Sequence, residues 1–325
     1  MWQPADQTLW LGHIDSEEGE LGVRWHQRVQ PLLTGGQAEQ TPGNVLIGFA
    51  CDAGVVRNHG RAGAAGGPAA VRKLLVNCAW HQTHPVYDGG NVQCKGDALE
   101  AAQFVLGTHV ATMLEAGHLP LVIGGGHEVA WGSWQGLATW ATKLPPQRIG
   151  VLNFDAHFDL RAGESGTSGT PFRQISEDCA ARGWPFRYAC FGVARPTNTA
   201  ALFTRAQKLG VCWVEDDHLA PWHLDAAREK LAAFLDQVNV LHLTIDLDVL
   251  PAANAPGVSA PAVRGVELAV LEALIDQAVA SGKVRLAEFA EFNPNFDIDG
   301  CTARIVVRLL ERIARGAWAV RSENQ

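Results

Sequence analysis

The run Ile149-Gly150-Val151-Leu152-Asn153-Phe154-Asp155-Ala156-His157-Phe158-Asp159 decides how the rest of the chain is read. Its first half is apolar but for one asparagine, the composition of a strand covered on both faces. In its second half ionisable residues take every other position. Alternate side chains of extended chain share a face, so Asp155, His157 and Asp159 point one way and Ala156 and Phe158 the other. Three ionisable groups leaving a buried strand in step are costly unless something compensates them. A cation does.

The device recurs at 242–249, His-Leu-Thr-Ile-Asp-Leu-Asp-Val, where Asp246 and Asp248 sit two apart at the end of an apolar run. Left unpaired, such carboxylates repel and one takes up a proton. A third apolar run, 119–123, ends in Gly124-Gly125-Gly126-His127-Glu128. Glycines there let the backbone turn tightly and carry His127 to a site. Two imidazoles and four carboxylates form a harder, more oxygen-rich set than structural zinc uses. The set suits Mn²⁺, with Fe, Co or Zn as substitutes. Six ligands are too many for one open catalytic ion and enough for two ions roughly 3.5 Å apart, bridged by shared carboxylates.

Working outward, eight apolar runs read as strands: 44–51, 85–89, 119–123, 148–154, 186–193, 211–215, 239–245 and 285–291. Helical patterns lie between them, including 68–80, 98–116, 225–238, 266–280 and 302–318. Pro68 suits a first helical turn, and Gly117 and Gly282 suit C-terminal caps. Strands alternating with helices imply an α/β fold, a mostly parallel eight-stranded sheet with helices on both faces in three α/β/α layers. Ligands of such folds gather beyond the carboxyl ends of the strands, where the ionisable residues cluster. No repeat or composition break marks a boundary, so residues 1–325 read as one catalytic domain, with 1–43 an N-terminal extension packing on it.

Composition narrows the function. The net charge of −8 over 325 residues argues against a broad nucleic-acid-binding face. No long charge-free apolar run suggests a membrane span, and the N-terminus lacks the pattern of a signal peptide. Seven cysteines without a C-x-x-C pair read as buried reduced thiols of a cytoplasmic protein. The expected partner is a small molecule; a homo-oligomer stays open. The 11 tryptophans have no functional account, and Trp131, Trp134 and Trp140 read as core. Glu164, Glu177 and Asp178 read as charges on a surface loop.

Gly-Gly-Gly-His at 124–127, Asp-Ala-His-Phe-Asp at 155–159 and Asp-Leu-Asp at 246–248 together resemble the signatures of the ureohydrolase superfamily of arginases, agmatinases and formimidoylglutamases. The likeness extends to Gly60-Arg61-Ala62-Gly63-Ala64 with Gly67-Pro68, and to Glu288-Phe289-Ala290-Glu291-Phe292-Asn293-Pro294. It implies an arginase-type α/β/α domain with two Mn²⁺ ions. One ion would be held by His127, Asp155, Asp159 and Asp246, the other by His157, Asp155, Asp246 and Asp248. The family's activity is hydrolysis at an amidine or guanidine carbon. Glu291 falls where the family anchors the planar cationic head of its substrate, and Asp159 would accept and return the proton.

Arginases carry a histidine after the Asp-x-His-x-Asp motif, within Ser-Gly-Asn-x-His-Gly. Here the stretch is Ser168-Gly169-Thr170-Pro171-Phe172-Arg173-Gln174, with Phe172 in the histidine's place. This resembles the formimidoylglutamase branch, as does the N-terminal pattern of Trp10-Leu11-Gly12, Asp15, Arg24 and His26. The branch implies cleavage of N-formimidoyl-L-glutamate, an amidine dicarboxylate, to L-glutamate and formamide in histidine degradation. The substrate's carboxylates need donors. Arg173, Arg57 and Arg61 are the candidates, with Thr170 beside them. A guanidine-cleaving sister enzyme, a metal-stabilised binding protein and a two-metal phosphoesterase stand as rival readings.

Overall fold

The computed structural model describes residues 1–33 and 40–323; residues 34–39 and 324–325 of the expected single-domain span lie outside the described residues. Each of the eight apolar runs forms a strand. After β1 (Trp2–Gln3) and β2 (Gln30–Pro31) come β3 (Asn44–Ala50), β4 (Val86–Gln93), β5 (Leu119–Ile123) and β6 (Ile149–Phe154). The series continues with β7 (Tyr188–Val193), β8 (Cys212–Glu215), β9 (Val240–Asp246) and β10 (Val284–Ala290). They join in one sheet of order β1-β4-β3-β5-β10-β9-β6-β7-β8, with β2 also on β4. Every pairing is parallel except that of β1 with β4.

The sheet thus has ten strands among the described residues, not eight. β1 and β2 are two residues each, too short to print a pattern on the sequence, and they add only to the outer side of β4.

Nine helices cover the sheet among the described residues. In chain order they are α1 (Ala53–Arg57), α2 (Gly67–Leu75), α3 (Leu99–Glu115), α4 (Val129–Ala141) and α5 (Pro171–Arg182), then α6 (Ala200–Lys208), α7 (Leu224–Leu235), α8 (Leu268–Ala280) and α9 (Cys301–Glu323). Two apolar cores form. Alternate strand residues such as Leu46, Leu121 and Leu152 join side chains of α2, α7, α8 and α9 in one. Val45, Val122 and Val151 face the other way and join those of α3 to α6. Two cores flanking one sheet are the physical content of three layers, and they explain why the strands are apolar on both faces. Pro68 opens α2, and Gly117 and Gly282 adopt φ of 78° and 68° just past α3 and α8.

The N-terminal segment is held by a buried polar knot. Arg72 of α2 forms a two-pronged pair with Asp88 of β4, its Nε 3.1 Å from Oδ2 and its Nη2 2.8 Å from Oδ1. The Trp10 indole donates to the same Oδ2 at 2.8 Å. A buried ion pair is tolerable where both partners are this fully hydrogen-bonded. All seven cysteines are free thiols, and Cys301 at the start of α9 is exposed where a buried thiol was expected. Glu177 and Asp178 lie on α5 rather than in a loop, because the loop ends at Pro171, which supplies the helix's first turn. Among the described residues no helix is long and apolar enough to cross a membrane.

Register positions the site. Phe289 of β10 pairs with Ile123 of β5 and with Ile245 of β9, and Ile245 also pairs with Phe154 of β6. The carboxyl ends of four central strands therefore line up on one rim, where β9 and β10 are inserted between β5 and β6. Such a break in strand order opens a crevice.

Candidate metal centre

Four strands deliver the ionisable groups to that rim. His127 follows β5, Asp155, His157 and Asp159 follow β6, Asp246 ends β9 with Asp248 just beyond, and Glu291 follows β10. Gly126 makes the approach of β5 feasible: a Cβ there would fall 2.2 Å from Glu128 Oε2 and 3.0 Å from Glu291 Oε1. A larger residue there would displace the Glu128 and Val55 side chains.

The donors gather in two groups sharing one carboxylate. In the first, His127 Nδ1 faces Asp155 Oδ2 at 3.0 Å, Asp159 Oδ2 at 3.1 Å and Asp246 Oδ2 at 3.0 Å. It has a well-aligned hydrogen bond to none of them. Its other nitrogen, Nε2, lies 3.0 Å from Thr244 Oγ1. If Nε2–H donates there, Nδ1 carries a lone pair, and a lone pair converging with three buried carboxylate oxygens suits a cation, not a proton. In the second group His157 Nδ1 is 3.0 Å from Asp248 Oδ2 and 3.5 Å from Asp155 Oδ1. The candidate ligand atoms within each group lie within 4.8 Å of one another. Asp155 offers one oxygen to each group; Asp246 falls in the first only. The residues present fit a pair of hard divalent ions.

Electrostatics agrees. Burial, then Asp248 and Asp155 beside it, drives Asp246 well above the carboxylate range. Burial followed by the Asp155 charge lifts Asp159 to about 6. Burial would raise Asp155 as well, but the imidazoles of His127 and His157 hold it below the usual range. A cation between these groups removes the repulsion.

Glu291 completes the constellation. Its Oε1 accepts the His127 backbone N–H at 3.0 Å, and burial, then the neighbouring Glu128, lifts its carboxyl to about 8. It lines a cavity of about 290 Å³ together with His157, Asp159, Asp246 and Asp248. Asp159 and Glu291 hold positive φ, 48° and 64°, and His59 on the same wall 61°. Such strain in side-chain-bearing residues concentrates at functional sites.

The sequence-flagged arginines part company. Arg61 lines the cavity; its Nε donates to the Ser259 carbonyl at 3.0 Å, its Nη2 to the Val258 carbonyl, and its guanidinium lies 3.8 Å over the Phe296 ring. Arg57 is turned to Asp97 and Glu100, each at 2.6 Å. Arg173 donates to the Arg161 carbonyl at 2.9 Å and pairs with Glu177 at 2.7 Å. Neither Arg57 nor Arg173 lines the cavity. Both are neutralised by acids within reach, as arginines beside carboxylates are. Thr170 is buried and also away from the wall, its hydroxyl 3.0 Å from the Thr167 carbonyl and from Gln174 Oε1. Phe172 packs edge-on against the His127 ring, centroids 5.1 Å apart.

Three partners escaped the sequence reading: Thr244, Asn153, whose Nδ2 donates to Asp155 Oδ2 at 2.9 Å, and Arg161 on the cavity wall. A signal was there. Asn153 and Thr244 each stand two residues before a cluster aspartate and extend the alternation that marked the ligands, whereas Arg161 lies past the positive-φ turn at Asp159 that ends it.

The chain belongs to the arginase family, whose model matches residues 43–315. It is 54% identical over 319 residues to a formimidoylglutamase of Ralstonia nicotianae, covering 97% of each chain. To one of Aeromonas hydrophila it is 55% identical over 315 residues, covering 97% of this chain and 99% of that one. Among solved structures it superposes on Trypanosoma cruzi formiminoglutamase with Mn²⁺ at a TM-score of 0.76 and 27% identity, over 86% of this chain and 95% of that one.

Proposed function

We propose that the chain is a binuclear manganese hydrolase that cleaves the amidine C–N bond of N-formimidoyl-L-glutamate, giving L-glutamate and formamide in histidine degradation. One observation carries the reading: two imidazole–carboxylate groups share Asp155, and their His157, Asp159, Asp246 and Asp248 line a cavity whose wall also holds an acid, Glu291, and two arginines, Arg61 and Arg161. Relatives named formimidoylglutamase that match nearly the full length support the substrate. The metal ligands are His127, Asp155, His157, Asp159, Asp246 and Asp248.

When bound, the ions neutralise the carboxylates, lower the pKa of a water and supply Lewis-acid charge. The chain's own residues do the rest. Glu291 takes the planar cationic amidine through parallel N–H bonds, which fixes the carbon over the centre. Asp159 takes a proton from the water that adds to that carbon and returns it to the departing glutamate nitrogen. The two arginines face the substrate's carboxylates. The chain acts as one cytoplasmic catalytic domain in this reading, with residues 1–33 packed upon it.

The test is to incubate Mn²⁺-loaded protein with N-formimidoyl-L-glutamate, arginine and agmatine in parallel. Glutamate and formamide in equal amounts from the first substrate, abolished by a chelator, is the expected result. Urea from a guanidine, with no release of glutamate, would move the protein to a sister branch.

A further inference from the structure

We propose that Asn153, seated by Tyr188, is a positioning residue that sets the shared carboxylate of Asp155 with one oxygen toward each half of the metal centre. This rests on the two-metal reading above.

A carboxylate that serves two ions has to hold one rotation about its Cβ–Cγ bond, and hydrogen bonds from behind are what hold it. Asp155 is fully buried and has a donor on each oxygen. Oδ1 accepts the backbone N–H of His157 at 2.6 Å, and Oδ2 accepts Asn153 Nδ2 at 2.9 Å. The same two oxygens divide between the groups, Oδ2 facing His127 Nδ1 and Oδ1 facing His157 Nδ1. The first donor comes with the backbone of any residue but proline. The second depends on the side chain at 153. Asn153 is fully buried in β6, two residues before Asp155, so its amide lies on the same face.

Tyr188 of β7 decides which way that amide points. Its hydroxyl has one proton, which goes to the Phe158 carbonyl at 3.1 Å. Toward Asn153, 3.0 Å away, the hydroxyl can then only accept, so the amide nitrogen and not its oxygen stands there. Both protons of that nitrogen are used, one on Tyr188 and one on Asp155. A flipped amide would set its oxygen against two acceptors. The tyrosine is held in turn: Phe172 stacks on its ring with centroids 4.4 Å apart, and Phe172 itself packs edge-on against His127. One aromatic stack thus reaches His127 directly and Asp155 through the amide. The buried Oδ1 of Asn153 has no hydrogen-bond partner among the described residues, a cost that an apolar side chain would not carry. Its two donors are what offset it.

The test is a titration of Mn²⁺ into metal-free wild type and variants, with free ion read by electron paramagnetic resonance and melting curves of the metal-free proteins alongside. Wild type is expected to bind two ions. Asn153→Leu keeps the branched shape and removes both donors; it is expected to lower the affinity for one of the two ions about 10- to 100-fold. Asn153→Ala, which cannot clash, is expected to show the same loss and serves if the leucine variant does not fold. Tyr188→Phe leaves the amide without its seat and is expected to cost about 3- to 10-fold. The double variant Asn153→Leu with Tyr188→Phe should bind no more weakly than Asn153→Leu alone, because Tyr188 acts through the amide. A lower melting temperature with wild-type affinity for both ions would make Asn153 a structural residue only and overturns the proposal. An unchanged affinity in Tyr188→Phe, or losses that multiply in the double variant, overturns the part given to Tyr188. If the wild type binds fewer than two ions, the two-metal reading fails and this proposal with it; if the wild type binds two and both Asn153 variants bind two equally well, this proposal alone fails.

Discussion

Asp248→Ala is expected to lower kcat/KM on N-formimidoyl-L-glutamate at least about 10³-fold while the protein stays folded. Asp248 Oδ2 is the carboxylate oxygen nearest His157 Nδ1, and the second group contains only Asp155 besides these two. Removing it leaves an imidazole and one shared carboxylate, too few for a hard divalent ion. The first group keeps its four donors, so metal content should fall from two ions per chain to one. Folding should survive, because Asp248 lies in a short 3₁₀ turn past β9 and leaves the pairing of β9 with β6 and β10 intact. Metal analysis, circular dichroism and kinetics on one preparation check all three statements. Full turnover with one ion would mean that the second group is not catalytic.

Glu291→Gln should separate activity from stability. The variant keeps an oxygen for the His127 N–H but loses the charge that takes the cationic amidine. A charge-assisted, two-pronged contact of this kind is worth about 2–4 kcal/mol, so kcat/KM should fall about 30- to 1000-fold. Stability of the metal-free protein should move the other way. Burial, and Glu128 beside it, lift the Glu291 carboxyl from 4.5 to about 8. The folded state therefore holds a proton that the unfolded state has released, and this group's contribution to stability falls as pH rises from about 4.5 to about 8. Glutamine is never charged. The metal-free variant is thus expected to melt above wild type at pH 8 or higher, with the gap closing toward pH 4.5. Melting curves across pH check this; a gap that widens on acidification would mean that Glu291 is stabilised as an anion in the folded state.

Legibility followed the physics. The strands stood out because most of them are apolar on both faces. The ligands stood out because ionisable groups alternating at a buried strand end are costly unless a cation offsets them. Gly-Gly-Gly-His at 124–127 was readable because glycines mark a close backbone approach, and a Cβ at Gly125 would stand 2.0 Å from the Cys51 carbonyl oxygen. What did not show was pairing. Arg57 reads as a free cation until the fold brings Asp97 and Glu100 to it from 40 and 43 residues away. Arg173 was more decipherable: Glu177 stands four residues on in what proved to be α5, the spacing of a helical ion pair. Arg161 was passed over because it lies one step beyond the motif, where the chain turns through Asp159 at positive φ and the alternation no longer means a shared face.

The central claim is that the six side chains form one two-metal centre. Anomalous diffraction from crystals of the Mn²⁺-loaded protein, recorded on both sides of the manganese absorption edge, tests it most directly. The expected map has two manganese peaks about 3.5 Å apart. One lies among His127, Asp155, Asp159 and Asp246, the other beside Asp155, His157 and Asp248. A single peak, or peaks placed away from these side chains, would contradict it.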